Sequence, residues 1–285
     1  MRRGSLSGAV DAAKLGLINP ILVGPRPQDQ PGGGAAQARY LRLRAGGGPH
    51  SEAAASTAVE LVRTGHAEAL MKGSLHTDEL MAAVVKKDTG LRTGRRISHC
   101  FVMDVPGYPD ALIISDAAVN IAPTLEVKVD IVQNAIDLAR ALRVPEVRVA
   151  ILSAMETVNE KVLSTIEAAA LCKMADRGQI SGGLLDGPLA LDNAISMEAA
   201  QIKKIVSPVA GRANVLIVPD LEAGNMLAKS LSFLAQADSA GIVLGAKVPI
   251  ILTSRADSVE ARLASCAVAV LVVQARRDSA AKAMA

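Results

Sequence analysis

The stretch PIILTSRADSVEARLAS, residues 249–265, places an apolar run directly before Ser254 and Arg255, with Asp257 and Glu260 following as a helix begins. A permanently charged guanidinium at the mouth of a buried strand needs an anionic partner or water, and it can hold a phosphate or carboxylate through two parallel N–H groups. The neighbouring hydroxyl and the unpaired amides of a helix start are further donors for an anion. Asp257 and Glu260 also admit a plainer account. At that spacing they form a capping box, Asp257 bonding the first helical amides and Glu260 reaching back. For Asp257 capping and a part in the chemistry both stay open.

Other short constellations share this pattern of small polar residues after an apolar run. In KGSLHT, Lys72, Ser74 and Thr77 follow a strand and open a helix, where a hydroxyl either caps the helix or meets an anion. The turn GLRTGRR gathers Arg92, Arg95 and Arg96, which form either a solvated surface turn or an anion clamp. In SDAAVN, Asp116 and Asn120 could line a cleft or make an ordinary turn. Asp220 and Asn225 flank the helix after NVLIV, and Gly224 permits close approach of a backbone or a ligand. Asp186 in LLDGP reads as a turn residue.

Several chemistries lack their sequence signatures. No GxxxxGK[ST] phosphate loop, GxGxxG dinucleotide turn or GxSxG nucleophile elbow occurs. His50, His66, His76 and His99 show neither HExxH nor a spacing shared with cysteines, so no metal site is expected. Cys100, Cys172 and Cys266 are far apart and without a CxxC pair, which reads as buried thiols in a reducing compartment. Lys and Arg total 31 against 28 Asp and Glu, too even a balance to wrap a polyanion, and with two Tyr, two Phe and no Trp there is no stacking platform for nucleic acid. The first residues contain no unbroken apolar core for a secretory signal, and the apolar stretch Leu263 to Val273 is too short for a bilayer of ~30 Å. A soluble cytoplasmic protein with no membrane partner is expected.

These groups need a scaffold that brings loops together, and the periodicities supply one. After a helix and the strand PILVG, the Gly- and Pro-rich segment from Pro25 to Pro49 reads as a loop or a degenerate element. Helices are expected from Ser51 to Thr64, Thr77 to Lys87, Glu126 to Arg143, Asn159 to Met174, Asn193 to Lys204, Gly224 to Ala237 and from Ser258 onward, where Val259, Leu263, Cys266 and Val270 share a face. Strands are expected at Glu68 to Met71, Ser98 to Asp104, Ala111 to Ser115, VRVAIL, NVLIVPD, GIVLG and PIILTS, while SGGLLDGP reads as a turn. Such alternation implies an α/β fold of mostly parallel sheets with helices on both faces. Ligands in these folds sit at the carboxyl ends of strands.

In order and over nearly the entire chain, LMKGSLHTDELMAAV, GLRTGRRISH, SDAAVNIAPTLEVK, GGLLDGPLALDNAIS, NVLIVPDLEAGNMLAKSL and the strand ending in Ser-Arg resemble the phosphate acetyltransferase and phosphate butyryltransferase family, on its butyryltransferase-like branch. The resemblance implies a two-lobed subunit like that of the isocitrate and isopropylmalate dehydrogenases. Residues 1–97 with 246–285 would form the first lobe and 98–245 the second, with the active site in the interlobe cleft and a homodimer as the assembly. The implied reaction moves an acetyl or butyryl group between coenzyme A and inorganic phosphate, which act as substrates, with no tightly bound cofactor. By the same resemblance Ser254 and Arg255 position the acyl phosphate and stabilise charge at the carbonyl, and Lys72, Ser74, Thr77, Arg92, Arg95, Arg96, Asp116, Asn120, Asp220 and Asn225 contact substrate. The family's proposed thiol base, seven residues after the serine, falls on Ala261 here, so Asp257 or Glu260 would substitute, or nearby arginines would activate the thiol. The alternatives are a long-chain acyl carrier protein phosphate acyltransferase and a catalytically silent scaffold domain.

Overall fold

The computed structural model describes residues 3–24, 39–42, 50–252 and 257–284. They belong to two compact units, residues 1–95 with 240–285 and residues 96–239. The first unit opens with α1 (Arg3–Lys14), β1 (Ile21–Gly24), β2 (Arg39–Arg42), α2 (His50–Arg63), β3 (Leu70–Met71) and α3 (Thr77–Val84). The second follows with β4 (Ser98–Asp104), β5 (Leu112–Ser115), α4 (Leu125–Ala141), β6 (Arg148–Leu152), α5 (Leu163–Asp176), β7 (Leu184–Leu189), α6 (Leu191–Ile195), α7 (Met197–Ile202), β8 (Val215–Ile217) and α8 (Leu221–Leu234). The chain returns to the first unit along β9 (Asp238–Leu244), then forms β10 (Ile250–Ile251) and α9 (Val259–Met284).

In the second unit the strand order is β4-β5-β8-β6-β7. β5, β8, β6 and β7 run parallel and β4 is antiparallel to β5. The inner strands are mostly apolar, as parallel strands covered on both faces tend to be. Every residue of β5 and β8 is buried. α4 buries Ile131, Ala135, Leu138 and Ala139, an i, i+4, i+7, i+8 stripe. Between α4 and α5 lies an ion pair shielded from water, Lys128 Nζ to Glu167 Oε2 at 2.5 Å.

In the first unit β1 pairs in parallel with β2, and β10 lies between β3, to which it is parallel, and β9, to which it is antiparallel. α2 buries Ala55, Val59 and Val62. α9 buries Ser265, Cys266, Ala269 and Val272, and the Ser265 hydroxyl accepts from Gly241 N at 3.0 Å while donating to Ala261 O at 2.7 Å.

Within 25–49 the described residues Arg39–Arg42 form β2, in keeping with the element alternative. Four details correct the sequence reading. SGGLLDGP carries β7, with Asp186 opposite Ala150 rather than in a turn; Gly187 is required there because a Cβ would lie 2.8 Å from Ile151. The helix expected over 193–204 is two, broken at Ser196, which leaves helical φ/ψ and accepts from Ala199 N at 3.2 Å to cap α7. α5 starts four residues later than Asn159, because that turn is held by the Thr165 hydroxyl bonding to Asn159. On α9, Cys266 is buried as expected but Val259 and Val270 are exposed.

Candidate active site

The carboxyl ends of β5 and β8 are neighbours, since those strands pair in parallel with Ser115 opposite Ile217. After β5 the chain turns at once into a tight loop organised by Asp116, which is 2% exposed. Its Oδ1 accepts from His99 N at 3.1 Å, Ala118 N at 3.0 Å and Val119 N at 3.1 Å. Its Oδ2 accepts from Asn120 N at 3.0 Å and Asn120 Nδ2 at 2.5 Å. Asn120 also donates to Ile97 O at 2.9 Å. A buried carboxylate is tolerated when it is this fully satisfied by N–H groups. Asp116 and Asn120 are thus brought together, and their polar atoms hold the loop in place.

After β8, Asp220 caps α8 by accepting from Ala223 N at 2.8 Å. Asn225 Nδ2 donates to Ala117 O at 3.3 Å and Leu221 N to Ile121 O at 3.1 Å, which ties the start of α8 to the Asp116 loop. Gly224 makes that approach possible, since a Cβ on it would stand 2.7 Å from Asp116 O and 2.8 Å from Val218 Cγ2. Its freedom therefore serves a backbone contact. Asp116, Asn120, Asp220 and Asn225 form one cluster at two adjacent strand ends.

His99 belongs to the same cluster and was not singled out in the sequence. It is buried, its ring packs edge-on against Phe101 at 4.4 Å, and its Nδ1 has no hydrogen-bond partner among the described residues. Burial pushes its imidazole down to about 4, against the opposing pull of Asp116. Glu156, in the loop after β6, was also missed; it accepts from Asn193 Nδ2 at 3.2 Å and Lys203 Nζ at 3.0 Å, and Lys203 and the other donors hold its carboxyl below the usual range. Nothing in the spacing of Glu156, Asn193 and Lys203 announces this contact.

The remaining candidates lie in other places. Lys72 follows β3 and is buried, with its N–H bonded to Ile251 O at 3.0 Å. Ser74 and Thr77 are exposed, and neither takes the capping position of α3. His76 does, and Glu79 accepts from its N–H at 2.7 Å and from Ser51 Oγ at 2.5 Å. Arg92, Arg95 and Arg96 are exposed side chains on a pinned backbone. Leu91 O accepts from Lys247 N at 2.9 Å, Thr93 Oγ1 donates to Gly245 O at 2.6 Å, and Arg96 N donates to Asp130 Oδ2 at 2.9 Å.

Ser254 and Arg255 lie outside the described residues. Asp257 is half-buried at the entry to α9. At the start of α9 the Ser258 Oγ accepts from Ala261 N at 3.1 Å, so Ser258 takes part in capping this helix. Glu260 does fold back, its carboxyl held low by its own backbone amide and the Ser258 hydroxyl. Among the described residues no group of three or more His, Cys, Asp or Glu is arranged to hold a metal, and no helix is long and apolar enough to cross a membrane.

Comparison with known proteins gives one consistent result. The family described as phosphate acetyl/butaryl transferase matches over residues 50–270. A phosphate acetyltransferase of Rhizobium meliloti is 64% identical over 273 residues, 96% of this chain and 86% of that protein. A phosphate butyryltransferase of Clostridium beijerinckii is 46% identical over 215 residues, 75% of this chain and 71% of that protein. Among solved structures, a branched-chain phosphotransacylase from Enterococcus faecalis V583 superimposes with a TM-score of 0.82 at 31% identity, covering 94% of this chain and 95% of that one.

Proposed function

The chain belongs to the phosphate acetyl/butaryl transferase family, and from that membership we propose that it moves a short acyl group between coenzyme A and inorganic phosphate, acyl-CoA plus phosphate giving acyl phosphate plus coenzyme A. The observation that carries this reading is the 64% identity to a phosphate acetyltransferase over 96% of the chain. Identity of that extent leaves room for a changed acyl pocket but little for a changed reaction.

In this reading coenzyme A and phosphate are substrates and no tightly bound cofactor is needed. The active site is the interlobe cleft that the resemblance implies, in a cytoplasmic homodimer. In the direction of thioester synthesis, the thiol sulfur attacks the acyl phosphate carbonyl as its proton passes to a base. The tetrahedral intermediate then collapses with loss of phosphate. Arg255 and Ser254 are assigned the developing negative charge, which preorganised donors stabilise more in the transition state than in the ground state. Asp257 is assigned the proton. Asp257 is half-buried at the entry to α9, which supports that assignment. The bonds tying Asp116, Asn120, Asp220 and Asn225 to backbone support a positioning part for the loops they hold, with their backbone groups, Lys72, Ser74, Thr77 and the arginines Arg92, Arg95 and Arg96 offered to the anionic parts of the substrates.

The test is purified protein with phosphate and a panel of acetyl-, butyryl-, branched-chain and long-chain acyl donors, followed by thiol release and by acyl phosphate trapped as the hydroxamate. Phosphate-dependent release with acetyl or butyryl donors is the expected outcome. Release only from long-chain acyl carrier protein, or from none of the donors, defeats the proposal.

A further inference from the structure

Arg96 stands at a strand end of the kind where ligands collect in α/β sheets. β4 is antiparallel to β5 with Cys100 opposite Ser115, so residues 96–98 run past the carboxyl end of β5, beside the loop organised by Asp116. The peptide groups on both sides of the Arg96 Cα are held by side chains of α4. Arg96 N donates to Asp130 Oδ2 at 2.9 Å, and Asn134 Nδ2 donates to Arg96 O and to Ser98 Oγ, each at 2.9 Å. Asn120 Nδ2 takes the next carbonyl, Ile97 O, at 2.9 Å.

Asp130 and Asn134 are one helical turn apart and share a face of α4. Asn134 is 2% exposed and lies among Ile131, Ala135 and Leu138 of the buried stripe. A buried amide costs free energy unless it is hydrogen-bonded, and an alanine or leucine would occupy that place with no amide to satisfy. What the amide adds is a fixed backbone at Arg96. The guanidinium is left open. It is exposed, Asp130 bonds the backbone amide instead, and among the described residues it has no hydrogen-bond or ion-pair partner. A solvated arginine needs no such anchoring, whereas a ligand donor gains from it, because backbone ordering is complete before binding.

We propose that Asp130 and Asn134 are positioning residues that hold Arg96 as a preorganised donor to a phosphate group. The planar fork of a guanidinium matches two phosphate oxygens. The phosphate is inorganic phosphate or one carried by the coenzyme, a choice of ligand that rests on the acyl-transfer reading. Charge gives the arrangement a signature of its own. Asp130 is an acidic residue near the anion, so by charge alone its removal would tighten phosphate binding. Loss of the anchor weakens it.

The experiment titrates inorganic phosphate, and separately adenosine 3′,5′-bisphosphate, into the 285-residue protein by calorimetry, with KM for phosphate and for acyl-CoA measured in parallel. Arg96→Ala should weaken at least one of the two ligands about 10- to 100-fold, as for loss of a charge-assisted pair. Asp130→Ala should weaken the same ligand about fivefold or more, and Asp130→Asn, which keeps an oxygen acceptor for Arg96 N, should restore it. Added to Arg96→Ala, Asp130→Ala should cost nothing further. Asn134→Ala should act like Asp130→Ala and also lower the melting temperature. Weakening of phosphate alone assigns Arg96 to inorganic phosphate, and weakening of the bisphosphate alone assigns it to the coenzyme. Three results overturn the proposal: an Arg96→Ala protein that binds both ligands as the parent does, an Asp130→Ala protein that binds as tightly as the parent or tighter, or a loss in Asp130→Ala that adds in full to that of Arg96→Ala, which would mean general loosening. Should Asp130→Ala fail to fold, Asp130→Ser, too short to reach the amide, takes its place. Calorimetry needs no turnover. A parent that binds phosphate through Arg96 but releases no thiol defeats the acyl-transfer reading and supports the anchor. A parent that releases thiol, with both affinities untouched by Arg96→Ala, keeps that reading and overturns the anchor, as does a parent that binds neither ligand at tens of millimolar.

Discussion

Of the residues assigned the proposed chemistry, Arg255 and Asp257 each give a separable prediction. Arg255→Ala should lower turnover roughly 100-fold or more with little change in melting temperature, the scale of losing one oxyanion donor at ~3 to 4 kcal/mol. Turnover within a few fold of the parent would remove Arg255 from the mechanism. Asp257→Asn tests the base without uncapping α9, since Asn caps a helix about as well as Asp does. Turnover should fall ~100-fold to 10,000-fold and the acid limb of the pH profile should vanish. An unchanged profile would leave thiol activation to Arg255 and its neighbours. The sequence reading had Asp257 as the cap with Glu260 reaching back, and it overlooked Ser258, which is as competent a cap one residue later. The choice depends on where the strand before them ends.

At the scale of elements, the junction of β5, β8 and α8 rests on Gly224. Gly224→Ala would place a Cβ 2.7 Å from Asp116 O, so either α8 shifts outward or the loop moves. We expect a loss of about 1–3 kcal/mol in stability, as for other overpacked sites, measured by urea unfolding, with turnover falling alongside it. Stability and activity equal to the parent would show that the contact is slack. The elements that were legible in the sequence are those with strong apolar periodicity. β4 begins and ends where expected because Ser98 to Asp104 is bounded by an arginine turn and a Pro-Gly turn. β7 was hidden because Asp186, Gly187 and Pro188 are all turn formers, and only the crowding by Ile151 explains the glycine. The break at Ser196 was equally hidden, since one serine within a helical pattern looks like an ordinary interior residue until its hydroxyl is seen to cap.

For the molecule as a whole, the pH dependence of stability should bear the mark of one histidine. His99 is held at about 4 in the folded state against about 6.5 when unfolded, so the unfolded chain takes up a proton first as the pH drops. The stability this group contributes is complete above about 6.5 and is lost progressively between 6.5 and 4. The loss is about 2 kcal/mol from pH 7 to pH 5. The carboxyls held low, Glu60, Glu79, Glu156, Asp176 and Glu260, add their losses only as the pH falls below their ordinary range, so the upper part of the window isolates the imidazole. Urea unfolding at half-unit pH steps checks this, and His99→Gln should flatten the slope between pH 7 and 5. A slope unchanged by that substitution would place the proton uptake elsewhere.

The three cysteines carry a practical consequence. Burial pushes the Cys100 and Cys172 thiols up to about 12 and Cys266 up to about 11. At the pH of an ordinary assay almost none of the three is thiolate, and thiolate is the form that attacks disulfide reagents and peroxides. A chromogenic disulfide added to the folded protein should therefore register free coenzyme A and little else, with no blank to subtract for the enzyme's own sulfur. Mild oxidants should likewise leave these three thiols largely unmodified, which mass measurement after peroxide treatment checks.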